Sequence, residues 1–343
     1  MAETNVARDV LWPRADGDVL IRIVWLYVGQ GSSILVLVGH GDGYRSLLVD
    51  INLDEKNGGI DVPRLIHDLL RETGLDAFAN THPHDDHLRG IAQLAEGFRI
   101  GEVWHSCHVP GKEYRDSYDD LMKVVKAVKK AGGKEVKLLG RKKAQNFGDA
   151  QYYVLAPAEY VVEEINDEKP EERYRRIHEH CAVLRFGAGE KWVLITGDAN
   201  RTAFENHITE YHKERLSAVV LDASHHGSRD FFKESEDDED PYLKALQAIA
   251  PEYVVISAPT AEESPHNHPH EDAIRLYADQ VGDASVLHTG DKRYCYICDI
   301  YRDGKYSGVY DDKGALAEEY CLGDKGLVPT TFPSKVDDRG MGG

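Results

Sequence analysis

Two rhythms of apolar residues alternate along the chain. Runs rich in Val, Ile and Leu at 19–28, 34–38 and 46–51 have the length and β-branched content of buried strands. A helical pattern over 62–72 leads to a short strand at 75–79, and a second helix is predicted over 88–96. A strand at 99–104 precedes a long amphipathic helix over 114–131, with Leu121, Val124, Val125 and Val128 on one side. Strands at 136–139 and 151–155 close the first half, and the charged stretch 163–179 reads as an irregular loop over a site. The second half repeats the alternation, with strands at 182–186, 192–196, 218–221 and 253–257 and helices over 201–215, 242–249 and 271–280. Terminal strands are expected near 286 and over 294–301. Strands interleaved with helices predict layered α/β packing. Residues 1–17 are polar and read as a flexible N-terminus, 18–310 as one large domain, and 311–343, where Gly, Pro and charge dominate, as a tail.

Charge narrows the partners. The 343 residues carry a formal net charge of −19, which argues against non-specific binding to long nucleic acid. A basic face formed by Lys123, Lys126 and Lys130 is read as solvated, and the acidic run 234–240 as an exposed loop. The longest apolar run, 19–28, is interrupted by Arg22, so neither a secretion signal nor a membrane span is expected. Five cysteines in no framework spacing suit a reducing compartment, and the expected location is cytoplasmic.

The chemistry concentrates in Thr81-His82-Pro83-His84-Asp85-Asp86-His87-Leu88-Arg89-Gly90, directly after the strand at 75–79. Imidazole and carboxylate together suit Zn²⁺ and its first-row neighbours. On an extended segment His82 and His84 share a side, because side chains alternate with period two. Asp86 and His87 fall where the chain turns into a helix and can face a second ion.

This segment resembles the HxHxDH signature of the metallo-β-lactamase superfamily. The glycine turn Tyr27-Val28-Gly29-Gln30-Gly31-Ser32 resembles that of the competence-type (ComEC-like) branch, and Thr196-Gly197-Asp198 the family's TGD motif. Ser224-His225-His226-Gly227-Ser228 and Asn267-His268-Pro269-His270 are similar to that branch's HHGS and GHPH segments.

The resemblance implies an α/β fold, a four-layer αββα sandwich with a metal site at one edge. It also implies two divalent metal ions, Zn²⁺ or Mn²⁺. Metal one would take His82, His84, Asp198 and a third imidazole, for which His180 is preferred over His178. Metal two would take Asp86, His87, the shared Asp198 and one later histidine, with His226 preferred over His225 and His268. Catalytic roles fall to Asp86, His225 and His268, the last two as donors to a leaving oxygen, with His268 preferred where His226 ligates metal two. Ser228 and Arg89 are candidate contacts for a phosphate.

The expected activity is that of a binuclear hydrolase using a metal-bridging hydroxide on a phosphodiester. Two ions (+4), two carboxylates (−2) and a hydroxide (−1) leave a site of about +1 suited to an anionic substrate. Short or single-stranded nucleic acid, or a nucleotide-derived small molecule, fits the acidic balance better than long duplex. The alternatives are a lactone, thioester or β-lactam hydrolase, and a non-catalytic metal-stabilised module that binds a protein partner.

Overall fold

The computed structural model describes residues 5–14, 17–54, 58–71, 73–112 and 115–322. Helix α1 (Val6–Leu11) starts at Asn5, whose side chain accepts from the Arg8 amide. Strands β1 (Val19–Trp25), β2 (Ile34–His40) and β3 (Gly43–Val49) form an antiparallel meander. Helix α2 (Val62–Leu70), capped by Asp61, crosses to β4 (Leu75–Asn80). Two short helices, α3 (Asp85–Leu88) and α4 (Ile91–Ala95), then lead to β5 (Ile100–His105), and α5 (Arg115–Lys130) leads to β6 (Lys134–Lys137). Strands β3 to β6 run parallel.

The second sheet begins with β7 (Gln145–Phe147) and β8 (Ala150–Ala156), followed by α6 (Glu159–Asp167) and α7 (Pro170–Arg175). Next come β9 (Val183–Ala188), β10 (Lys191–Ile195), α8 (Arg201–Ala203) and a π-helical turn, Phe204–Ile208. Strand β11 (Val220–Asp222), α9 (Lys244–Ile249), β12 (Tyr253–Ile256), α10 (Glu271–Val281) and β13 (Val286–His288) complete this sheet. The chain then passes through α11 (Thr289–Lys292) and returns to the first sheet as β14 (Tyr296–Tyr301) and β15 (Tyr306–Asp311), ending in α12 (Ala315–Tyr320). The strand orders are β15-β14-β1-β2-β3-β4-β5-β6 and β13-β12-β11-β10-β9-β8-β7.

Three apolar cores separate four layers. Ile21, Ile23, Trp25, Trp104, Tyr152 and Phe186 fill the space between the sheets. Leu65, Ile66 and Leu69 of α2, with Leu121, Val124 and Val128 of α5, cover the outer face of the first sheet. Phe204, Leu246, Ile249 and Tyr277 do the same for the second. Each fully buried Leu or Ile adds about 1.5–3 kcal/mol. The architecture is the four-layer αββα sandwich that the sequence implied. Arg22 sits opposite Asp299 in the β1–β14 register and pairs with it at 2.7 Å, which is how a charge is accommodated inside the apolar run. The exposed Lys134 and Lys137 lie on β6, an edge strand, where lysine discourages pairing with another chain.

Several expectations are corrected. Residues Val6–Leu11 are helical rather than flexible, with Ala7 and Leu11 fully buried beside α2; six residues are too few to show a period. The chain does not become a tail at 311, because Leu316 and Tyr320 of α12 pack into the same core and Cys321 bridges Ile60. The remainder of that expected tail, 323–343, lies outside the described residues. The expected loop at 163–179 is largely helical, in α6 and α7. The helix expected over 88–96 breaks at Gly90, whose φ of 110° is disallowed inside a helix.

Candidate metal centre

Every candidate side chain comes from the same rim of the sandwich, where β4, β10, β11 and β12 end and β9 begins. Strand β4 ends at Asn80, and the amide of this side chain holds the following loop together. It donates to the carbonyls of His82 (2.7 Å) and His87 (3.3 Å) and to Asp50 (3.1 Å). Asp50, fully buried at the end of β3, also accepts from the Thr81 amide (2.7 Å) and hydroxyl (2.6 Å) and lies 2.7 Å from Nδ1 of His87. A single carboxylate thus orients both the loop and one imidazole, the outer-sphere role common around metal-binding histidines.

Asp198 follows β10 through Gly197. A Cβ at Gly197 (φ 50°) would come within 2.7 Å of the Thr81 hydroxyl and 2.8 Å of the Cys181 sulfur, so glycine is what lets this turn approach the β4 loop. The two carboxylate oxygens of Asp198 then face different neighbours. Oδ2 lies 3.5 Å from Nε2 of His82, 3.8 Å from Nε2 of His178 and 3.6 Å from Nε2 of His225. Oδ1 lies 3.0 Å from Nε2 of His87 and 3.6 Å from Nε2 of His226.

Among the described residues three groups of ligand atoms result, each with its atoms within 4.8 Å of one another: first His82, His84, His178 and Asp198, second Asp86, His87 and His226, and third His178, His225 and Asp230. The Asp86 carboxylate is 3.4 Å from Nε2 of His226. His225 and His226 are consecutive left-handed residues (φ 50° and 56°), a conformation that L-residues adopt at a cost. The turn sends the two rings to different neighbours: Nδ1 of His226 to the Ser257 carbonyl (2.9 Å), Nδ1 of His225 to Asp230 (3.2 Å). The ring of His268 lies beyond His225, 4.9 Å away between centroids, and 6.4 Å from that of His226.

Electrostatics polarise the cluster. Burial, reinforced by the charge of His87, holds His82 well below the usual imidazole range, and burial brings His84 down to about 4. Burial disfavours charge on Asp86 and Asp198 too, yet the surrounding imidazoles overrule it and both stay well below the usual carboxylate range. Burial likewise opposes a proton on His87, but Asp198 and Asp50 raise its proton affinity well above normal.

The donor set fits a divalent cation. Nε2 of His82 and Oδ1 of Asp198 are buried without a hydrogen-bond partner, and the Nδ1 atoms of His87 and His226 are each committed to an acceptor. A bound cation would satisfy these acceptors in place of the proton that Asp198 and Asp50 favour on His87. Imidazole with carboxylate, without thiolate, suits Zn²⁺ or Mn²⁺.

The structure places His82, His84, Asp86, His87, Asp198 and His226 together, but His180 is elsewhere and is the main correction. Its Nε2 is 3.0 Å from the Ser106 carbonyl and its Nδ1 3.0 Å from Nδ1 of His108, whereas His178 joins the first group. Ser228 and Arg89 each have a partner within the protein. Ser228 is buried and its hydroxyl caps a short helical turn by accepting from the Asp230 amide, and Arg89 pairs with Asp54 at 3.5 Å. Asp230, which shares a ligand-like group with His178 and His225, escaped sequence reading because no motif position marks it.

No family model matches the chain, and no curated protein matches it. Among solved structures, it is similar to the metallo-β-lactamase fold protein YhfI from Bacillus subtilis, at 13% identity over 78% of this chain and 95% of that one, with a TM-score of 0.42. Zn²⁺-bound PqqB from Methylobacterium extorquens gives 14% identity, coverage of 78% and 97%, and a TM-score of 0.45. A diphosphatase from the PhnP family gives 14%, coverage of 78% and 94%, and 0.39. At such identities the chemistry has to be read from the side chains themselves. No helix among the described residues is long and apolar enough to cross a membrane.

Proposed function

We propose that this chain is a binuclear metal-dependent hydrolase that cleaves phosphodiesters. The observation that carries the proposal is Asp198, whose two oxygens are divided between two groups of imidazoles. Residues His82, His84, His178 and Asp198 would hold one ion, and Asp86, His87, Asp198 and His226 the other. Two divalent ions supply Lewis acidity, a water made nucleophilic near neutral pH, and stabilisation of charge on attacking and leaving oxygens.

The chain's own residues do the rest. Asp50 and the Ser257 carbonyl hold His87 and His226 in the tautomer that presents Nε2. Asp230 faces Nδ1 of His225, so that Nε2 of His225 is the atom placed to deliver a proton to a leaving oxygen. His268 backs that ring from 4.9 Å.

Resemblance of the glycine turn, HHGS and GHPH segments to the competence-type branch favours a nucleic-acid end or nucleotide-derived phosphodiester as substrate. The charge of −19 favours a short or single-stranded one. A cytoplasmic location is consistent with five free cysteines.

The test is hydrolysis of bis-p-nitrophenyl phosphate, single-stranded DNA, duplex DNA and RNA by Zn²⁺- or Mn²⁺-loaded protein, beside Asp198→Ala. Cleavage by the wild type and its loss in the variant, by about 10²-fold or more in kcat, is expected from the several kcal/mol of charge stabilisation at stake. Bound metal with no phosphodiester turnover, or turnover of a lactone instead, would overturn the reading.

A further inference from the structure

His178 is the one member of the first group that does not come from a strand end; it lies in the turn between α7 and β9. The residues around it are clamped. Nε and Nη2 of Arg176 donate to the two oxygens of Glu179, each at 2.7 Å. Nη1 of the same guanidinium donates to Glu164, within α6, and Glu168, just past its end, each at 2.6 Å. Glu179 is also 2.8 Å from Nε2 of His207, in the π-helical turn. His207 in turn accepts the Tyr160 hydroxyl at 2.6 Å. On the inner side, His180 is tied to Ser106 and His108.

The chain is therefore fixed two residues before His178 and at both residues after it, to three different parts of the fold. Glu164 is mostly exposed, and exposed pairs add little to global stability. The consequence of this clamp is local: it sets where the His178 ring sits.

We infer that Arg176 is a positioning residue for the first ion, acting through His178. It touches no ligand atom in the centre; it holds the turn that delivers one. The inference rests on the proposed two-ion reading. It implies that the first ion depends on α6 and α7 being docked, whereas the second is held by Asp86, His87 and His226, with Asp50 and the Ser257 carbonyl behind them.

The experiment is Zn²⁺ stoichiometry and affinity by competition with a chelator, together with the visible spectrum of the Co²⁺-loaded protein, for wild type, Arg176→Ala, Arg176→Lys, His178→Ala and the double variant Arg176→Ala/His178→Ala. Arg176→Ala should bind one ion as the wild type does and the other about 10–100-fold more weakly, as when an outer-sphere partner is removed. Arg176→Lys should fall between. The double variant should bind no more weakly than His178→Ala alone, since both changes remove one interaction. Two ions bound with wild-type affinity in Arg176→Ala, or additive losses in the double variant, overturn the inference and leave the two-ion reading standing. A wild type that binds no metal overturns both. Should Arg176→Ala not accumulate, Glu168→Ala removes one tie and is read the same way.

Discussion

Nε2 of His87 and Nε2 of His226 face each other at 3.1 Å. Nδ1 of His87 meets a carboxylate and Nδ1 of His226 a backbone carbonyl, both acceptors, so each Nδ1 is committed as a donor. Without a cation, the proton that Asp198 and Asp50 favour on His87 is what fills the space between the two Nε2 atoms; a bound cation would take its place. Chelation is therefore expected to lower the melting temperature and metal to restore it. Binding at a hundred times the dissociation constant stabilises by about 2.7 kcal/mol. Thermal unfolding with EDTA and with added Zn²⁺ checks this; identical curves would contradict it.

His178→Ala and His180→Ala should separate ligation from scaffolding. The first is expected to lose one equivalent of metal, the second to keep both ions while losing about 1–3 kcal/mol, since the buried groups facing His180 are left unpartnered. Metal analysis and urea unfolding of the two variants decide it, and the reverse assignment of metal loss would restore His180 as ligand.

Gly31 has φ 133°, and a Cβ there would stand 2.4 Å from the Asp86 carbonyl and 2.8 Å from the Asn52 amide nitrogen. Gly31→Ala is expected to displace the loop bearing Asp86 and to destabilise by about 1–3 kcal/mol. Weakened binding of one metal ion should accompany the loss of stability, and unaltered metal titration would show that the loop absorbs the change.

The imidazole of His212 is buried away from the centre, and burial, helped by Arg215, lowers its pKa to about 4. The unfolded chain, near the ordinary value of about 6.5, binds the proton more readily. Stability from this group is thus present above about pH 6.5 and lost as the pH falls towards 4. Urea midpoints across that window should fall less steeply in His212→Asn than in the wild type. Parallel slopes would argue that His212 is not held neutral.

Arg22 and Asp299 are joined by two hydrogen bonds of 2.7 Å, both residues buried. Removing one partner leaves an uncompensated charge, so Asp299→Ala should lose about 3–5 kcal/mol. A double change to Arg22→Leu/Asp299→Leu should recover most of it in equilibrium unfolding, and failure to recover would assign the loss to packing rather than charge.

What could be read directly from the chain was local. The apolar runs became β1, β2 and β4 within a few residues because burial on both faces demands continuous hydrophobicity. His82, His84, Asp86 and His87 meet because six residues at a strand end have little freedom to part. The helices α1, α6, α7 and α12 were hidden, being short or highly charged; the buried Ala7, Leu11, Leu316 and Tyr320 owe their cover to residues far along the chain.

Tertiary structure decided which distant histidines arrive. His180 is preferred on the resemblance, because the family's ligand there is commonly a histidine followed by a small polar residue, here Cys181. The segment makes helical-turn bonds, with the His180 amide 3.2 Å from the carbonyls of Arg176 and Ile177. In a turn of about 100° per residue, positions two apart point to opposite sides, so His178 faces Asp198 while His180 faces Ser106. The chain determined by itself that a candidate metal-binding edge exists, because four of the side chains that could ligate are neighbours in sequence. Only the folded chain, through backbone angles at 176–181 and 225–226 and the docking of α6 and α7, determined which imidazoles complete it.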